Sequence, residues 1–325
     1  MMSESSITRR DFMMASGTVL MTAAAGKSFG ASSQASKSWT IACRDAHLSV
    51  TKAPDVWAAM KQIGISGVEV AVSDDMQCSY LYHPEKKYSI ESADSIAALK
   101  DDLQKNGFQI TSFLMANRFD ERLEFELEWC SKVVAAAKAL NVHAIRIDVV
   151  PRKLAGKRDE FVRFAIDMGK KLVDIVKDED VSFGIENHGN TTNDPEFLNA
   201  LFGGVKSKKL GLTLDTGNFY WYGHPLSKLY EIYETFAPYA CHTHCKSIAY
   251  PEEQRNSQRK MGWEYGKYNC PIDRGDIDFA KVVAILKKSG YKGDLCIENE
   301  SLGKFPEAER GEVLRKEVEY LRQLI

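Results

Sequence analysis

The feature that most constrains this chain is an alternation. Eight short β-like runs recur from Trp39 onward: WTIACRD, GVEVAV, FQITSFLM, VHAIRIDVV, VSFGIEN, LGLTLDTG, ACHTHCK and DLCIENE. Longer amphipathic stretches separate most of them, among them APDVWAAMKQIG, SADSIAALKDDLQKNG, ERLEFELEWCSKVVAAAKALN, RDEFVRFAIDMGKKLVDIVKDED and DFAKVVAILKKSG. Several end in a residue suited to a left-handed cap, Gly107, Asn141 and Gly290 among them. Strands alternating with helices predict parallel pairing through βαβ units. A count of eight favours one closed (β/α)8 barrel, an α/β fold in a single domain over residues 39–325. No glycine-rich nucleotide loop follows the first run, which argues against an open doubly wound sheet. The longest irregular stretch, 247–275, exceeds an ordinary connection and predicts a functional loop.

Composition excludes some partners. A formal net charge of −2 gives no electrostatic case for nucleic acid or an anionic membrane surface. The seven cysteines contain no CxxC pair and most sit in apolar runs, so they read as small buried hydrophobes. Residues 1–38 stand apart. Arg9 and Arg10 precede an apolar stretch and a small-residue tail, the layout of an export signal. The Arg-Arg pair before Asp11 and Phe12 resembles a twin-arginine signal, which predicts export of the folded protein to the periplasm, with cleavage near Gly30 or Ala31. The apolar run is too short for a good membrane span, so no span is expected after cleavage.

Alternate strand residues face the lumen of such a barrel, and sites form at the C-terminal strand ends. With Phe183 and Ile185 facing the helices, Glu186 and His188 turn inward. With Leu210, Leu212 and Leu214 outward, Thr213 and Asp215 turn inward. ACHTHCK places His242 and His244 on one face, and DLCIENE places Cys296, Glu298 and Glu300 inward. Glu186, Asp215, His244 and Glu298 therefore converge from four consecutive strands. Three carboxylates and an imidazole in a confined space repel one another unless a cation is present. The donor set suits one divalent ion: Mn2+ first, with Mg2+, Co2+ or Zn2+ as alternatives.

Further candidates follow from the same phase. His188 reaches a substrate hydroxyl or bonds to a loop. Lys246 contacts an oxyanion or stays at the surface. Glu69 and Arg146 face the lumen on earlier strands, where they meet substrate or form an ion pair within the barrel. NFYWYGHP, from Asn218 to Pro225, collects aromatics after the sixth run, and Trp221 can stack on a sugar or wall the pocket. Trp263 and Tyr265 are placed to form a lid.

From Trp39 to the end, the chain resembles the xylose isomerase-like TIM barrel superfamily, the sugar phosphate isomerase/epimerase family. GISGVEV, GIENHG, LTLDTGN, HTHCKS and DRGDIDFAKVVAILKKSGYKGDLCIENE carry the resemblance. It implies one divalent metal held by Glu186, Asp215, His244 and Glu298, with Glu186 and Glu298 as acid and base. Two positions depart from the pattern. Lys246-Ser247 stands where a Lys-Asp pair is often found, and Asn218 stands where some epimerases carry a histidine. The long loop and the export signal also argue against a cytosolic sugar phosphate.

The expected function is a metal-dependent isomerase or epimerase of a small carbohydrate, moving a proton next to a carbonyl through an enediolate. The same residues could instead drive elimination or hydration on a keto-sugar or 3-keto-glycoside. A third reading is a non-catalytic sugar-binding barrel. A homo-oligomer is compatible with all three.

Overall fold

The computed structural model describes residues 39–325. The export signal expected at 1–38 lies outside the described residues. Eight parallel strands close into a barrel: β1 (Thr40–Arg44), β2 (Gly67–Ala71), β3 (Gln109–Met115), β4 (Ala144–Ile147), β5 (Ser182–Glu186), β6 (Leu210–Asp215), β7 (Ala240–Cys245) and β8 (Asp294–Ile297). Neighbours pair in chain order, and β1 closes the ring on β8 through Thr40 opposite Asp294. The expected α/β fold, a (β/α)8 barrel, is the observed one.

Eight main helices follow the strands: α1 (Val56–Ile63), α2 (Ala93–Asn106), α3 (Phe119–Leu140), α4 (Arg158–Val176), α5 (Pro195–Val205), α6 (Leu226–Phe236), α7 (Phe279–Ser289) and α8 (Arg310–Arg322). Their ends follow local chemistry. Ser92 and Ser95 form a reciprocal capping box at the start of α2. The Asp278 carboxylate accepts from Ala280 and Lys281 at the start of α7. Gly107, Asn141 and Gly290 end α2, α3 and α7 in the left-handed conformation, as their sequence positions predict.

Strand parity decides which side chains face the helices. A Cβ added at Gly169 of α4 would lie 2.9 Å from Leu210 of β6, so that leucine points outward into the helix layer. Leu210, Leu212 and Leu214 are all buried, and the opposite phase is left for Thr213 and Asp215. Two register shifts interrupt the ladders, one between Val68 and Glu69 and one between Leu212 and Thr213. The unpaired residue is Thr111 of β3 in the first and Cys241 of β7 in the second.

The long segment after β7 is not free-running. Ser247–Ile248 pairs antiparallel with Asn269–Cys270, which ties its neck. The Arg259 guanidinium lies 4.4 Å from the ring centres of Tyr220 and Tyr250 and donates to the carbonyls of Tyr220 and His224. Trp263 stacks on Tyr268 at 5.6 Å.

Candidate metal centre

Four of the residues picked from strand phase meet at the C-terminal rim. Glu186 ends β5, Asp215 ends β6, His244 lies near the end of β7, and Glu298 follows β8. One donor atom from each lies within 4.8 Å of the other three. All four are buried, with exposures of 2% for Glu186, 0% for Asp215 and His244, and 3% for Glu298. His244 Nδ1 faces the carboxylates: it lies 2.9 Å from Glu186 Oε1, 3.4 Å from Glu298 Oε2 and 4.0 Å from Asp215 Oδ2.

Each carboxylate divides its oxygens. Asp215 Oδ1 accepts from the backbone N–H groups of Gly217 and Asn218, at 2.8 and 2.7 Å. Its Oδ2 is buried and accepts no well-directed hydrogen bond, and the same holds for Glu298 Oε2. Arg146 takes Glu186 Oε2 and Arg44 takes Glu298 Oε1. The oxygens left over point at the common centre. Buried carboxylate oxygens grouped with an imidazole nitrogen match the oxygen-rich donor set of a divalent cation.

The charge argument from sequence needs correction. The protein supplies its own cations to the crowded carboxylates. Lys246 Nζ lies 3.1 Å from Asp215 Oδ2, 2.7 Å from Glu298 Oε2 and 3.0 Å from Glu300 Oε1, and its side chain is 6% exposed. With Arg44 and Arg146 it offsets much of the repulsion. The donor geometry, rather than charge repulsion, is what points to a metal. Titration follows the same partners. Against the desolvation of burial, Arg146 and His244 hold Glu186 well below the usual carboxylate range. Lys246, His244 and Arg44 do the same for Glu298. Burial, reinforced by Glu298 and Glu186 and opposed by Lys246, pushes Asp215 up to about 7.

The other candidates land variously. Glu69 was expected to meet substrate or to form an ion pair within the barrel. It is 1% exposed and lies inside the barrel, with Oε1 2.9 Å from His242 Nε2 and Oε2 2.9 Å from His244 Nε2. The two histidines occupy both of its oxygens, so it cannot face a ligand at the mouth. His188 is half-exposed at the rim, with Nδ1 3.2 Å from Asp148 Oδ1. Asn218 is buried, its Oδ1 3.5 Å from Lys246 Nζ and its Nδ2 without a partner. Trp221 packs against Gly262, so the long loop sets its position. Tyr265 of that loop donates to Glu300 Oε2 at 2.6 Å and so reaches the rim, whereas Trp263 packs among Tyr250 and Tyr268.

Two rim residues were not anticipated. Arg44 ends β1, and a charge closing an apolar run was the available signal. His47 lies in a short helix after β1 that carries no periodic pattern. Its Nε2 is buried without a partner. Burial and the neighbouring Arg44 push its imidazole down to about 4, so it stands neutral near Glu298, Glu300 and Lys246.

Fold and rim together define a class: a (β/α)8 barrel with a buried carboxylate–imidazole centre at the C-terminal strand ends. The chain belongs to the xylose isomerase-like TIM barrel family, whose sequence profile matches residues 57–324. Solved structures share the fold at low identity. The IOLI protein with a bound zinc atom is 15% identical, with a TM-score of 0.67 over 88% of this chain and 99% of its own. A xylose isomerase-like TIM barrel protein from Mycobacterium smegmatis in complex with magnesium is 16% identical, with a TM-score of 0.59 over 88% and 98%. D-allulose 3-epimerase from Methylomonas sp. is 15% identical, with a TM-score of 0.59 over the same shares. Among curated proteins, an uncharacterized protein of Methanocaldococcus jannaschii is 27% identical over 136 residues, 41% of each chain, so the match spans about two fifths of that relative.

Proposed function

We propose that this protein is a divalent-metal-dependent isomerase or epimerase of a small carbohydrate, acting by proton transfer on carbon beside a carbonyl. The observation that carries the reading is the set of four donors, all buried at the C-terminal strand ends and within 4.8 Å of one another. Structural neighbours support it: one holds zinc, one magnesium, and one is a D-allulose 3-epimerase. Glu186, Asp215, His244 and Glu298 would hold the ion. When bound, it supplies positive charge where the substrate's carbonyl oxygen gains negative charge. Mn2+ fits oxygen-rich ligation with one imidazole, and Mg2+, Co2+ and Zn2+ are the alternatives.

Glu186 and Glu298, on non-adjacent staves, serve as base and acid. Arg146 and Arg44 fix their orientation and favour the ionised form, in which the base takes the proton; the acid returns a proton only after it has itself been protonated. The same pairs lower their basicity, so the guanidinium must loosen as a proton arrives. His188, Asn218 and Lys246 address substrate hydroxyls, Trp221 an apolar sugar face, and Tyr265 closes the mouth. Arg9 and Arg10 support export to the periplasm, where free or oxidised sugars and keto-glycosides are suitable substrates.

A panel of ketoses, aldoses and keto-glycosides in D2O, with each divalent ion, tests the reading by NMR. Deuterium entering the carbon beside the carbonyl, with no bond cleaved, is the expected result. Loss of water or of an aglycone would replace it with a lyase or dehydratase. Wild-type protein that takes up none of the four ions and turns over nothing would refute it.

A further inference from the structure

His242 shares the inward phase of His244 yet does not belong to the quartet. Its Nδ1 lies 2.7 Å from Asp294 Oδ1, and its Nε2 lies 2.9 Å from Glu69 Oε1. Glu69 then faces His244, with Oε1 and Oε2 at 3.0 and 2.9 Å from Nε2. At the far end, the Tyr291 hydroxyl donates to the Asp294 carbonyl at 2.8 Å. His242 and His244 are 0% exposed, Glu69 1% and Asp294 3%, so water does not compete for these contacts.

We infer that Asp294, His242 and Glu69 are positioning residues that fix His244, when an ion is bound, with its Nε2 protonated and its Nδ1 lone pair aimed at the centre shared with the three carboxylates. An ionised carboxylate only accepts, so the nitrogen facing Glu69 must carry the hydrogen. Nδ1 lies 2.9 Å from Glu186 Oε1 and by the same rule donates there while no ion is bound; an ion held at the centre takes the Nδ1 lone pair, which leaves the single hydrogen of the neutral ring on Nε2, against Glu69. Nδ1 is also the atom nearest Glu186, Glu298 and Asp215. A carboxylate behind a ligating histidine sets its tautomer and ring orientation. Here that carboxylate is itself held, by His242 on Oε1 and by Arg44 Nε at 3.5 Å from Oε2. Asp294 anchors His242 in turn. The register shift opposite Glu69, which leaves Thr111 of β3 unpaired, lies beside this row. The pair of histidines one residue apart thus has two jobs, one facing the centre and one holding the group that orients it.

The inference rests on the metal reading above and extends it by naming the ligating nitrogen and the residues that select it. Its test uses the metal-stripped protein with zinc as a diamagnetic probe. In wild type, 15N spectra of labelled histidine should show His244 coordinated through Nδ1 and protonated at Nε2. Glu69→Gln should weaken zinc binding by about 10- to 100-fold, and His242→Gln should cause a smaller loss in the same direction. Coordination through Nε2, or unchanged zinc affinity in folded Glu69→Gln protein, would overturn the inference while leaving the metal reading intact. Where Glu69→Gln does not fold, the wild-type spectrum decides. Wild type that takes up no divalent ion overturns both.

Discussion

Lys246 offers the sharpest test of how the rim is held together. Its ammonium lies within 3.1 Å of oxygens on Asp215, Glu298 and Glu300, and the lysine is 5% exposed. Replacing it with Met keeps most of the volume and removes the charge. Without an ion, Asp215 Oδ2 and Glu298 Oε2 then face each other with no cation between them. Removing one partner of a buried ion pair costs about 3–5 kcal/mol. For a chain of this size roughly 2 °C of melting temperature follows each kcal/mol, so metal-free Lys246→Met should melt about 5–10 °C lower. A divalent ion at the quartet would sit beside the same two oxygens. Wild type must bind it against the repulsion of a nearby ammonium, and the variant need not. Divalent-ion affinity should therefore rise in the variant by about tenfold or more, a difference of about 1.4 kcal/mol or greater. Saturating Mn2+ should restore most of the lost melting temperature. Calorimetry of metal-free and Mn2+-loaded protein, with titration of the ion, reads all three effects. A variant that melts like wild type and binds Mn2+ no more tightly would show that Lys246 does not neutralise these carboxylates.

Three further outcomes are expected. Burial, opposed by Asn299 and the Ile272 N–H, pushes Glu317 from 4.5 up to about 8, so its protonated form favours the fold. That contribution is complete below about pH 4.5 and lost as pH rises through 8, worth up to about 5 kcal/mol at roughly 1.4 kcal/mol per pH unit. Urea denaturation between pH 5 and 9 should show a steeper fall for wild type than for Glu317→Gln, and equal slopes would refute it. Tyr265→Phe removes the hydrogen bond to Glu300 Oε2, and should raise KM several-fold, on the order of 1 kcal/mol, while metal content stays unchanged. An unaltered KM would remove Tyr265 from the mouth's closure. Chelation followed by dialysis should lower the melting temperature, and readdition of an ion at about 100 times its Kd should return about 2.7 kcal/mol. A melting temperature indifferent to both steps would argue against a resident ion.

Much of this was legible along the chain. Eight apolar runs alternating with capped amphipathic helices specify a parallel barrel, because both periodicities and the caps are local properties. Strand parity then placed Glu186, Asp215, His244 and Glu298 on the inner face, because bulky Phe183, Ile185 and Leu212 can only turn toward the helices. Local pattern could not say which oxygen of a glutamate meets an arginine from another stave. Arg44 pairs with Glu298 across 254 positions, and His242 with Glu69 across 173. Such partners are chosen by barrel closure and register, including the shift opposite Glu69. That is why strand parity left Glu69 between a substrate contact and an ion pair within the barrel, where it is found against His242 and His244, and why the need for a cation was overstated until Lys246 and the two arginines were seen in place. The sequence by itself determined the barrel and the inward phase of its polar residues. Only the tertiary structure decided which of them face the centre, which hold those that do, and which cations already stand among them, since those contacts depend on side chains far apart in the chain meeting in one dry space.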